Sequence, residues 1–130
     1  MYKMENLQKY FDLFDQSRTS EKAFEELSGL FTEDMTFVLN GHEKHGIDQW
    51  NQFVKMVFQE NVDLKHMFEG WVYDEKEDLY VTPWAVCGKR KSGEVYTQTG
   101  KDFAKMDTSG KITYLANVPD NTDMFSDYKK

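Results

Sequence analysis

DMTFVLNGHEKHGIDQWNQFV, residues 34–54, changes its hydrophobic period part-way along. Met35, Phe37 and Leu39 alternate with Thr36, Val38 and Asn40, which predicts a strand. Trp50, Phe53, Val54 and then Val57 return at helical spacing, which predicts a helix running to about Asn61. Between them lie His42, Glu43 and His45, bracketed by Gly41 and Gly46. A zincin-type site needs histidines at i and i+4 on a helix, and zinc normally takes at least three protein ligands. Here the spacing is i, i+3 and the glycines oppose a regular helix. The stretch reads as a polar crossing loop, and no metal site is expected.

Upstream, Leu7, Tyr10, Phe11 and Phe14 fall on one face of a first helix ending near Gln16. Ser20 is a plausible N-cap for a second, with Ala23, Phe24, Leu27, Leu30 and Phe31 as its apolar face. Downstream, LKHMFEGWVY, LYVTPWAVCGKR, VYTQTGKDFAKM and KITYLANV read as strands. Ser92-Gly93 and Ser109-Gly110 mark turns between them. Pro83 donates no ladder hydrogen bond, so it belongs at an edge or a bulge. The predicted order is α-α-β-α-β-β-β-β, helices first and mostly antiparallel strands after, an α+β pattern. A strongly curved sheet wrapped around three helices would enclose an apolar hollow.

The 130 residues fit one domain, 1–130, with 120–130 a polar and loose tail. The net charge of −7 argues against nucleic-acid or anionic-membrane partners. Lys89-Arg90-Lys91 reads as a solvated hairpin tip. Cys87 is the only cysteine, so no internal disulfide can form. With no signal-peptide core and no spanning run, the expected location is the cytoplasm. Ten Phe, seven Tyr and three Trp are too many for surface decoration; some would line a cavity.

The order and spacing of LFTEDMTFVLNG, HGIDQWNQFV, LKHMFEGWVYDEKEDLYVTPWAV and DFAKMDTSGKITYL resemble the NTF2-like superfamily, and within it the SnoaL-like proteins. The resemblance covers about Leu7 to Val118. It implies the cystatin-like cone of that superfamily. It does not fix a chemistry, because the fold hosts isomerases, dehydratases, cyclases and noncatalytic binding domains. In ketosteroid isomerases the first helix carries a hydrogen-bonding tyrosine, and LQKYFDLF places Tyr10 there. Their catalytic aspartate ends the first strand, where Leu39 stands. Their second acid precedes by two a phenylalanine matched by Phe103, so Lys101 takes its place. Steroid-type isomerisation is therefore disfavoured. The only arginines, Arg18 and Arg90, stand in expected turns, which disfavours the Asp-Arg-Asp set of limonene-epoxide hydrolases.

The residues singled out are His66 and Tyr10 as acid–base candidates. Many SnoaL-like proteins point a histidine into the pocket from the position of His66, and imidazole exchanges protons near pH 7. Both residues have a bland alternative, a satisfied place in the core. Phe14, Leu39, Trp50, Val54, Phe68, Trp84, Lys101 and Phe103 are the expected pocket wall. Lys101 holds that place only if it faces inward; a reversed register would put it in solvent. The expected partner is a small hydrophobic molecule, with no cofactor. The alternative is a noncatalytic interaction or ligand-sensing module, homodimeric through the outer sheet face. On that face Met67, Trp71 and Tyr73 would gather, opposite His66, with Lys65 and Glu69 between them.

Overall fold

A computed structural model describes residues 5–121. Helix α1 (Glu5–Gln16) buries Leu7, Tyr10, Phe11, Leu13 and Phe14, the stripe its spacing predicts. Helix α2 (Glu21–Ser28) starts at Ser20, whose side chain accepts the Ala23 N–H at 3.1 Å. It ends earlier than predicted. Gly29 caps it, and Phe31 opens strand β1 (Phe31–Leu39) instead of closing the helix. Glycine is a weak helix residue, so the chain leaves the helix there and buries Leu30 and Phe31 from an extended backbone.

The polar crossing loop is in fact a strand. β2 (His42–His45) pairs antiparallel with β1, Leu39 opposite His42. Asn40 (φ 50°) and Gly41 (φ 85°) form the two-residue turn, and Asn-Gly suits the two positive φ angles of a type I′ hairpin. Helix α3 (Ile47–Glu60) follows and buries Trp50, Phe53, Val54 and Val57. Each such side chain contributes on the order of 2 kcal/mol when fully buried, enough to hold a helix that has no side-chain N-cap bond.

Strands β3 (Asn61–Phe68), β4 (Val72–Asp74), β5 (Leu79–Arg90), β6 (Val95–Met106) and β7 (Ile112–Pro119) follow among the described residues. The seven-stranded sheet runs β2-β1-β7-β6-β5-β3, with β4 also on β5. Only the β1–β7 pair is parallel. The predicted LKHMFEGWVY strand is two strands. β3 pairs β5 as far as Trp84, and β4 resumes at Val81. Thr82 and Pro83 lie in the gap, where the missing proline N–H disturbs no ladder on that side.

Three helices on a mixed sheet make this an α+β fold. α1 covers the edge of β3. The Asp15 carboxylate accepts the His66 backbone N–H at 2.7 Å, and Arg18 donates to the Val62 carbonyl at 3.0 Å. Both groups would otherwise be open edge positions. Of the tail expected to be loose, residues 122–130 lie outside the described residues. Asp120 is tied to Thr99 through its backbone N–H (2.9 Å) and its side chain (2.6 Å).

Candidate functional site

Helices α1 and α3 and the inner face of the sheet enclose a cavity of about 310 Å³. Tyr10, Phe11 and Phe14 come from α1, and Trp50, Phe53 and Val57 from α3. His66, Trp84, Asp102 and Asn117 come from four different strands. Gly100 makes room for the Trp84 ring. A Cβ at Gly100 would fall 2.6 Å from Trp84 Cζ2 and 2.6 Å from the Val118 carbonyl oxygen.

His66 is fixed from two sides. Its Nδ1 lies 2.7 Å from Asp15 Oδ1, while Oδ2 of the same carboxylate takes its backbone N–H. Both side chains are largely buried. The ring centroid stands 5.3 Å from both Phe11 and Phe14. A carboxylate at Nδ1 stabilises the tautomer with its proton there, which leaves the Nε2 lone pair as the reactive one. A histidine so paired can serve as a base with the carboxylate as its orienting group; the two residues are 51 apart in sequence.

Asp102 is the second polar centre and is fully buried. Neither carboxyl oxygen has a hydrogen-bond partner among the described residues. Burial raises its pKa from 3.8 to about 8. The nearby Trp84 indole N–H opposes the shift, but the two form no bond of good geometry, and Trp84 Nε1 is also without a partner. At neutral pH Asp102 is therefore a carboxylic acid, able to donate as well as accept. Its cross-strand neighbours are Thr82 on β5 and Asn117 on β7. Asn117 Oδ1 and Trp50 Nε1 likewise lack partners among the described residues. Native interiors leave few such groups unpaired, yet four of these residues line one cavity. Tyr10 is buried on the same wall. Its pKa is raised first by burial and then by the Asp102 and Asp15 carboxyls, so its hydroxyl keeps its proton.

Six of the ten residues singled out from sequence line the cavity: Tyr10, Phe14, Leu39, Trp50, His66 and Trp84. Four do not. Val54 is fully buried in the core but not on the wall. Phe68 packs its ring 4.8 Å from Phe11. Lys101 is exposed, and Phe103 shares its outer face, because β6 has the reversed register. Gly100, Asp102 and Ala104 point inward instead. The pattern was visible: Lys101 and Lys105 share a face, and two lysines favour solvent. Asp15 was missed as well, although it stands at i+4 from Phe11 on the α1 stripe. Trp71 does not join an outer aromatic group. It is buried and stacks on Phe11 at 6.1 Å.

His42 and His45 stand three residues apart on a strand, so they point to opposite faces. His45 instead meets Glu43, two residues away, at 2.9 Å. Among the described residues no three His, Cys, Asp or Glu side chains gather as a metal site would need. No helix among them is long and apolar enough to cross a membrane.

Residues 7–115 match the SnoaL-like domain model. The chain is 59% identical to an NTF2-like protein of unknown function from Exiguobacterium sp. 255-15, covering 89% of this chain and 98% of that one, with a TM-score of 0.87. Two more distant structures share the fold. One is a putative SnoaL-like polyketide cyclase from Jannaschia sp. CCS1 (14% identity, 97% and 90% coverage, TM-score 0.76). The other is a Mycobacterium tuberculosis protein solved in complex with estradiol-17β-hemisuccinate (13% identity, 88% and 90% coverage, TM-score 0.72). No curated protein matches the chain. The sequence match over most of its length, on this fold, makes the chain a member of the SnoaL-like family.

Proposed function

We propose that the cavity binds a small, largely apolar molecule bearing a carbonyl or similar acceptor oxygen, and that the protein performs acid–base chemistry on it. The observation that carries this reading is Asp102, a buried acid with no partner among the described residues on an aromatic wall. A neutral carboxyl there donates to a carbonyl oxygen and stabilises the charge that develops on it. Ketosteroid isomerases use a neutral aspartic acid beside a tyrosine in this way. Tyr10 and Asp102 resemble that pair, one position away from where sequence matching put Lys101. The usual base position is still Leu39, which cannot take a proton. His66 Nε2, oriented by Asp15, supplies the base from β3, so the reaction would be of isomerase, dehydratase or cyclase type. The solved neighbours named as a putative cyclase and a steroid-conjugate complex support a ligand of this kind.

The test is binding of aryl ketones followed by tryptophan fluorescence, with exchange of the α-proton in D₂O. Asp102→Leu is expected to weaken binding at least about tenfold, the loss of one good buried hydrogen bond. His66→Gln is expected to keep binding and lose exchange. Unchanged affinity in Asp102→Leu would sink the proposal.

A second reading, a homodimer through the outer sheet face, also has an observation behind it. Val72, Val81, Phe103 and Ala116 pair in one row across β4, β5, β6 and β7. Val72 is 65% exposed, and Met67, on the same side of the sheet, 52%. Val81 and Phe103 are half-buried and Ala116 is buried, so the exposed apolar side chains at the Val72 and Met67 end are what suits a partner. Light scattering at micromolar concentration tests it, and a monomer mass would remove it. The same proposal includes a single cytoplasmic domain with no nucleic-acid or membrane partner.

A further inference from the structure

The cavity has two polar ends. Asp102 lies opposite Thr82 on β5, and Arg90, which also lines the cavity, ends that strand. Eight residues separate the two levels, roughly 26 Å of extended strand before twist and side-chain reach are allowed for. The Arg90 guanidinium is held in place. It lies over the Tyr96 ring, 4.4 Å from the centroid, and its Nε donates to Glu94 at 2.8 Å. Tyr96 is fixed in turn, donating to Asn61 Oδ1 at 2.7 Å. Its ring occupies the space that a side chain at Gly88 would fill, 2.5 Å from the nearest ring atoms. These contacts use one face and one nitrogen of the guanidinium. Its two terminal nitrogens make no hydrogen bond among the described residues, and a carboxylate accepts from such a fork in two parallel bonds. Glu94 is an exposed partner, and such pairs are readily exchanged. Glu60, which lines the cavity with Asp102, forms no ion pair with Arg90 among the described residues.

We infer that Arg90 is a specificity residue for ligands carrying a carboxylate at the end remote from their carbonyl. The inference rests on the proposed function, since Asp102 takes the carbonyl end. The opposite orientation is disfavoured. At the Asp102 end a carboxylate would be stripped of water with no arginine or lysine beside it, whereas next to the partly exposed Arg90 it keeps part of its hydration.

The test uses a matched pair of probes, an aryl alkyl ketone with an alkyl chain long enough to reach from Asp102 to Arg90 and the same ketone with a carboxylate at the end of that chain, titrated against the full chain by tryptophan fluorescence. The keto acid is expected to bind roughly tenfold more tightly, the difference a charge-assisted pair makes. Arg90→Gln is expected to erase that difference, so that the keto acid binds no more tightly than the ketone. High salt should reduce only the keto acid's advantage. Equal affinities for the two probes, or a preference that survives in Arg90→Gln, would overturn the inference while leaving the ketone site standing. Failure of both probes to bind would overturn the proposed function and this inference together.

Discussion

The β1–β2 hairpin and the inner face of β6 and β7 are both polar, and they handle polarity in opposite ways. In the hairpin His45 meets Glu43 at 2.9 Å and Thr36 Oγ1 at 3.1 Å, in the open. On the inner face Asp102 and Asn117 are neighbours across the ladder and keep unpaired oxygens out of water. The hairpin looks like a site in the sequence and is closed chemistry in the structure. The inner face looks unremarkable in the sequence and is open chemistry. A buried polar group without a partner has a real energetic cost, so it marks function better than a cluster of reactive residue types.

Asp102 is expected to dominate the pH dependence of stability. Its folded pKa is raised, so between pH 4 and 8 the folded chain holds a proton that the unfolded chain has released. The stability due to that proton is full below about pH 4. It falls by roughly 1.4 kcal/mol per pH unit as pH rises toward about 8. Asp102→Leu should remove this slope and raise the unfolding free energy at pH 7 by on the order of 2 kcal/mol, because an apolar group replaces an unsatisfied one. Urea unfolding at a series of pH values measures both. A destabilised variant with the slope intact would mean that Asp102 is satisfied.

The smallest effect lies in the hairpin. His42→Ala and His45→Ala should each change stability by less than about 0.5 kcal/mol, as exposed pairs do, and leave ketone affinity alone. Loss of binding in either variant would move the site to the hairpin and reverse the comparison.

Most of the fold was legible because periodicity survives in isolated segments. The α1 stripe, the Met35–Phe37–Leu39 alternation and the α3 face all stand where their spacing placed them. The misses have local causes. Asn40-Gly41 is a hairpin signal, but the polar, glycine-bracketed segment after it carries no apolar alternation to mark a strand. Gly29 ended α2 before Leu30. In the site, Tyr10, His66 and both tryptophans reached the cavity because each sits on an apolar stripe. Asp102 did not, because a one-residue register choice on β6 exchanges it with Lys101. The Asp15–His66 pair was beyond reach, since nothing local links residues that far apart.

Asp102 is a neutral acid facing the cavity at physiological pH. A carbon-13 NMR titration of its carboxyl group, assigned by comparison with Asp102→Asn, tests this most directly. The expected midpoint lies near the value of about 8 that burial imposes. A midpoint at the ordinary carboxylate value of about 4 would contradict it.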